Sequence, residues 1–123
     1  MGAYEPKFLY GDAATSTASA TITNPPGGGQ LLAVTGNGTV GPAGASAANV
    51  VGAAAFDAVS GDRVTYFPRG KVHISVASGA ITAGARVDSG AAGTVASAAN
   101  ALTNIGIALT TAIDTGLVEW MEM

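Results

Sequence analysis

The sequence predicts an all-β fold: a small β-barrel domain of about seven short strands, preceded by an extended N-terminal arm. Short runs with β propensity alternate with turn residues from Gln30 onward, and no stretch shows a sustained helical period. In addition, the second half of the chain partly repeats the first half. This combination is typical of sandwiches and barrels built from short strands and glycine-rich turns.

The arm is predicted from a change of composition near residue 30. Tyr4–Tyr10 carries the aromatic side chains of this region, whereas Ala13–Thr23 is small and polar. Two prolines and three glycines follow at Pro25–Gly29, and they are expected to form a linker. The sequence therefore predicts two parts, an extended arm with its linker over 1–29 and a barrel domain over 30–123.

The strands of the predicted barrel are bounded by residues that favour turns. Turns are predicted at Gly36–Gly38, Ser60–Asp62, Pro68–Gly70, Ser89-Gly90 and Asp114–Gly116. The strands predicted between them are Gln30–Thr35, Asn49–Ala55, Arg63–Phe67, Lys71–Val76, Ala85–Asp88, Asn104–Leu109 and Leu117–Met121.

Apolar and polar residues alternate strictly within Lys71–Val76. Val72, Ile74 and Val76 share one face of the predicted strand, and His73 lies on the other face. Because the apolar face of a strand normally packs on the core, His73 is expected at the surface or in an interface.

The internal repeat relates segments that lie 54 or 55 positions apart. Gly38–Val40 returns as Gly93–Val95. Val51–Tyr66 and Ile105–Trp120 each run from a β-type segment through a turn into a strand with an aromatic residue. We therefore expect a pseudo-symmetric barrel in which these two longer segments occupy equivalent positions.

Composition narrows the classes of function. Only 11% of the residues are charged, the formal net charge is −3, and the five cations are too few for a typical nucleic-acid surface. There is no cysteine and no apolar run long enough to span a membrane. We therefore expect partners that are proteins, and neither nucleic acid nor a membrane.

No set of residues predicts a catalytic, cofactor or metal site. Gly36–Gly41 matches the spacing GxGxxG, but the β-type run from Asn49 leaves no room for the helix that binds dinucleotide phosphates. His73 is the one histidine, and a single histidine without cysteine makes a poor zinc site. The aspartates lie singly at turns, where they cap backbone N–H groups. The chain is expected not to be an enzyme and to use no cofactor or metal.

Trp120 is the fourth residue from the end of the sequence, between Glu119 and Met121. A tryptophan in this position fits either core packing or an interface anchor, because both use a large aromatic side chain. The sequence leaves both readings of Trp120 open.

Several short motifs follow one another in a recognisable order. They are Val50–Ala58, Gly61–Tyr66, Gly70–Val72, Gly79–Gly84, Val87-Asp88 and Asn104–Leu109. The first three resemble the middle of lambda-type phage head decoration proteins, and the last three resemble a related group of small phage capsid proteins. The resemblance covers about Gln30–Val118, and it rests on the order of the motifs.

This resemblance implies a tulip-like β-barrel that sits as a homotrimer on three-fold and local three-fold positions of a phage head. Its partners would be the major capsid protein, clamped by the N-terminal arm, and further copies of the chain. Tyr4, Phe8 and Tyr10 have the even spacing that places side chains on one face of an extended segment. With Lys7 and Ile22 they are the candidate capsid or subunit contacts.

The predicted function is that of a capsid decoration (cement) protein on the exterior of the virion, made in the cytoplasm of a bacterial host. Two alternatives stay open, a phage tail or head-fibre component and a carbohydrate-binding β-module. Exposed aromatic residues on one rim would favour the carbohydrate-binding module.

Overall fold

The computed structural model describes residues 13–68, 72–99 and 104–122, and the regular structure of these residues is almost entirely β-strand. The strands are β1 Ala14–Ala18, β2 Leu31–Gly36, β3 Thr39–Pro42, β4 Val50–Ala54, β5 Arg63–Pro68, β6 Val72–Val76, β7 Arg86–Ser89, β8 Val95–Ser97, β9 Gly106–Ala108 and β10 Leu117–Glu122. A single 3-10 turn lies at Ala91–Gly93. The predicted all-β fold is confirmed, and every predicted strand overlaps a strand of the structure.

The first five strands close into a barrel in the order β1-β3-β2-β4-β5, and antiparallel pairing of β1 with β5 completes the ring. We call this barrel the first unit. Its interior is narrow, and small or medium-sized apolar side chains fill it. These side chains are Ala18, Ile22, Leu32, Val40, Ala54, Ala58 and Val64.

The remaining strands form a second sheet in the order β6-β10-β9-β7-β8, which we call the second unit. One side of this sheet packs on the outside of β2 and β4, where Leu31, Ala33 and Ala53 join its core. Strand β2 contributes to both cores because successive residues of a strand point to opposite faces. Leu32 points into the first barrel, and Leu31 points toward the second unit.

The two units share one topology, which confirms the predicted pseudo-repeat. Strands β6–β10 have the same neighbours in the same order as β1–β5. A parallel bridge between Ala77 and Val95 stands where β1 and β3 pair in parallel in the first unit. Equivalent antiparallel pairs are Ala54–Tyr66 with Ala108–Trp120, and Ile22–Ala58 with Ile81–Ala112. Val51–Tyr66 and Ile105–Trp120 therefore occupy equivalent positions.

One pair of glycines shows how closely the repeat is kept. Gly52 in β4 and Gly106 in β9 are equivalent, and each faces the backbone carbonyl of the neighbouring strand. A Cβ atom on Gly52 would overlap the carbonyl oxygen of Phe67, and one on Gly106 would overlap that of Met121. Glycine is required at both positions because the neighbouring strand approaches too closely for a side chain.

The predicted boundary between arm and domain at residue 29 is wrong. Strand β1 lies within the predicted arm, yet it is a barrel strand that pairs with β3 and β5. Ile22, predicted to contact the capsid or a subunit, is fully buried in the core of the first unit. The sequence does not predict β1, because its alanine, serine and threonine residues show no alternation of apolar and polar side chains.

The predicted linker Pro25–Gly29 is also a fixed part of the fold. The backbone N–H of Gly29 donates a hydrogen bond to the carbonyl oxygen of Ile74 in β6, at 2.8 Å. Just before the segment, Asn24 donates through its side-chain amide to the carbonyl oxygen of Ala54, at 2.9 Å. The segment therefore connects the first unit to the edge strand of the second.

Candidate interaction surface

Strands β6 and β10 expose an apolar face on the outer side of the second unit. It consists of Val72, Ile74, Val76, Leu117, Glu119 and Met121, and we call it the β6–β10 face. The cross-strand pairs on this face are Val76 with Leu117, Ile74 with Glu119, and Val72 with Met121. The exposed fractions are 54% for Val72, 46% for Ile74, 47% for Leu117 and 40% for Met121. Contiguous exposed apolar side chains are a feature of interaction surfaces, so this face is a candidate for one.

The opposite side of the same two strands carries a buried polar cluster. His73 Nε2 lies 2.9 Å from Glu122 Oε1, and both side chains are buried. Trp120 donates a hydrogen bond from Nε1 to the hydroxyl oxygen of Ser75, at 2.9 Å. The centroids of the His73 and Trp120 rings lie 5.2 Å apart. Polar groups tolerate burial when they are hydrogen-bonded, so this cluster can line the core.

The prediction that His73 lies at the surface is therefore wrong. Alternation along Val72–Val76 separates two faces correctly, but the apolar face is the exposed one and His73 is in the core. The physical reason is the tryptophan opposite. Trp120 pairs with His73 across the strands and needs the interior volume.

Trp120 is a core residue, which decides between its two readings. Its side chain is fully buried, and its ring N–H has a partner within the core. A buried indole with a satisfied donor has no surface left with which to anchor another protein. The interpretation of Trp120 as an interface anchor is therefore wrong.

The other candidate contact residues divide into two groups. Tyr4, Lys7, Phe8 and Tyr10 lie outside the described residues, and Ile22 lies in the barrel core. The β6–β10 face was not among the residues predicted to interact. Its signal in the sequence was β10, where apolar residues occur on both faces and the bulkier Trp120 marks the inner one.

The first unit offers a direct comparison for this face. The equivalent outer positions of β1 and β5 are Thr15, Thr17, Arg63, Thr65 and Phe67, which we call the β1–β5 face. Its threonines are half-buried, and Arg63 and Phe67 are exposed. The same fold thus exposes a largely polar face in one unit and an apolar face in the other.

A groove of about 410 Å³ borders the β6–β10 face where the two units meet. The groove is lined by Asn24, Gly27–Gly29, Ala53–Ala55, Phe67 and Val72–Ile74. The groove is mostly backbone and apolar surface, without a cluster of reactive side chains. It extends the apolar surface from the second unit toward Phe67 of the first.

Metal sites and membrane-spanning helices are two further classes of feature that the described part of the chain could contain. No group of three or more histidine, cysteine, aspartate or glutamate residues there could hold a metal ion. No helix there is long and apolar enough to cross a membrane. Asp57 and Asp114 instead accept backbone hydrogen bonds from Asn24 and Gly79, each at 2.8 Å, as predicted for turn aspartates.

Comparison with known proteins gives a likeness in fold. No protein-family model and no curated protein sequence matches the chain. A solved structure that does match is the N base of head fiber gp8.5 from bacteriophage phi29, with a TM-score of 0.70. The alignment covers 91% of this chain and 93% of that one, at 20% sequence identity. The predicted resemblance to phage head proteins is thus confirmed at the level of the fold.

Proposed function

We propose that the chain is a structural protein of a bacteriophage head, which binds the outer surface of the shell through protein contacts. The observation that supports this most strongly is the fold, because nearly the whole chain matches the base of a phage head fiber. The exposed apolar β6–β10 face agrees with a protein that works by contact with other proteins.

In the form we favour, the chain is a decoration protein that stabilises the shell as a homotrimer on three-fold and local three-fold positions. Its partners are the major capsid protein and other copies of itself.

The proposed contacts with the shell are made by Tyr4, Lys7, Phe8 and Tyr10. They precede β1, and an extended segment of twelve residues reaches about 40 Å at most. That length is enough to reach from a barrel onto a neighbouring protein.

A second candidate function is the base of a head fibre. It is favoured by the matching structure, which is the base of a head fiber. The two functions differ in how many copies bind. A decoration protein fills all equivalent positions, whereas a fibre base occupies those that carry a fibre. Electron microscopy that counts bound copies per shell separates them.

The carbohydrate-binding alternative gains no support from the described residues. Trp120, the only tryptophan, is in the core, and Tyr66 is half-buried against the first-unit core. A sugar-binding rim would need such rings exposed on one side.

Co-sedimentation with undecorated shells tests the proposed function. The intact chain is expected to pellet with shells and to saturate at a fixed number of copies. A variant that lacks residues 1–12 keeps β1 and the whole barrel, so it is the matched control for the proposed shell contacts. We expect its affinity to fall at least tenfold. If the intact chain pellets no more than an unrelated β-protein, the proposed function is wrong.

A further inference from the structure

We propose that the β6–β10 face of one copy packs against the β1–β5 face of a second copy, so that the chain associates head to tail. This inference deepens the proposed function, since it names the surfaces through which its copies associate. It concerns only contacts between copies and not the contact with the shell.

The first step is that the fold does not require an apolar β6–β10 face. Ile74 and Val76 occupy the positions that Thr15 and Thr17 occupy in the first unit. Both pairs lie on the outer side of the first strand of their unit. Because threonine suffices in one unit, the exposed Ile74 and the half-buried Val76 in the other serve something beyond folding. Burial against a partner would remove their apolar surface from water.

The second step concerns the charge on this face. Glu119 lies opposite Ile74, between Leu117 and Met121 along β10, so it sits within the apolar surface. If two β6–β10 faces packed on each other, two carboxylates would enter the same apolar contact. Like charges brought together in such a setting destabilise it. The occupant is therefore expected to present a cation, and a second β6–β10 face does not.

The third step is that the chain itself carries a surface with this property. On the β1–β5 face, Arg63 is exposed beside Thr17, and Phe67 is 42% exposed on the same strand. Thr65 occupies the position equivalent to Glu119, so the β1–β5 face carries no carboxylate at this position. Arg63 can therefore meet Glu119 while Phe67 packs among the valine and isoleucine side chains. Arginine and aromatic residues are the residue types that interfaces favour.

The symmetry of such a contact also agrees with closed assemblies. A head-to-tail contact is heterologous, so a pair of copies still has one β1–β5 face and one β6–β10 face unoccupied. Repetition then gives a ring when the rotation closes. The homotrimer in the proposed function is a ring of this kind, whereas a face-to-face contact would stop at two copies.

The test transplants the first-unit residues into the second unit. The variant Ile74→Thr with Val76→Thr carries what the fold already accepts at Thr15 and Thr17. The control is Ile113→Thr, because Ile113 is 78% exposed and is not one of the residues of the face. Sedimentation velocity over a concentration series measures association, and circular dichroism confirms the fold. We expect the double variant to associate at least tenfold more weakly and the control to match the parent.

A charge reversal makes the test specific for the partner surface. Glu119→Arg and Arg63→Glu should each weaken association at least tenfold, and the two together should restore it to within about threefold of the parent. Rescue by the second change cannot come from misfolding. Three results would each overturn the inference. The parent chain could stay monomeric, the variant Ile74→Thr with Val76→Thr could associate like the parent, or the combined charge reversals could fail to restore association.

Shell binding is measured on the same variants, so the two proposals fail separately. If the parent associates through these faces but does not bind shells, the proposed function fails and the inference stands. If Ile74→Thr with Val76→Thr associates normally but no longer binds shells, the face belongs to the shell contact and the inference is wrong.

Discussion

Replacement of Ile22 by alanine tests whether β1 and the residues after it belong to the barrel. Ile22 is 0% exposed and lies in the first-unit core, bridged to Ala58 by two backbone hydrogen bonds. The change leaves those backbone bonds in place and removes three carbon atoms from a closed interior. The lost apolar burial and the cavity left behind together lower the free energy of unfolding by about 2–5 kcal/mol.

Urea denaturation followed by circular dichroism measures this change. With a urea dependence of about 2 kcal/mol per molar, the midpoint should fall by roughly 1–2.5 M. The matched control is Ile113→Ala, in which the same atoms are removed from a largely exposed site. That control should stay within about 0.5 kcal/mol of the parent. All measurements use one protein concentration, because association alters apparent stability. Equal effects of the two substitutions would refute the placement of Ile22 in the core.

Three further predictions concern the fold. Gly106→Ala should lower the free energy of unfolding by about 1–3 kcal/mol or more, while Gly44→Ala, with no neighbouring atom within 4 Å, should leave it within about 0.5 kcal/mol in the same urea titration. Trp120→Phe removes a buried donor and ring volume, and thermal melting should show a loss of about 1–3 kcal/mol. Deletion of 1–24 removes β1 and should abolish cooperative unfolding, whereas deletion of 1–12 should preserve it.

The sequence was informative wherever strands contain β-branched or large apolar residues. Such residues and their bounding turns located β2, β4, β5, β6, β7, β9 and β10. The strands that were missed, β1, β3 and β8, are built from alanine, glycine, serine, threonine and single valines or prolines. Their place in the fold comes from pairing with partners distant in sequence, which local patterns do not reveal.

The repeat was found for part of each unit only, and the reason is an insertion. Equivalent residues lie 55 positions apart at Val40 and Val95, but 59 apart at Ala18 and Ala77. The connection through Pro25–Gly29 is longer than its counterpart before β7. A repeat with one fixed spacing is therefore visible only after this connection. The residues before it, including β1, then look like an arm outside the repeat.

The candidate surface could not be predicted because alternation does not say which face of a strand is inside. The usual assumption is that apolar residues point inward. For β6 this assumption assigns the inner and outer faces the wrong way round. The core of the second unit accepts His73 and Ser75 because Glu122 and Trp120 are their hydrogen-bond partners on β10. That pairing depends on the register of two strands more than forty residues apart, which is a property of the folded chain.

Cryo-electron microscopy of undecorated shells incubated with the intact chain tests the central claim most directly. We expect regular density on the outside of the shell into which the two-unit fold fits. Neighbouring copies should meet through the β6–β10 and β1–β5 faces, and residues 1–12 should run toward the shell. Shells that remain bare at saturating protein concentration would contradict the assignment of the chain to the phage head.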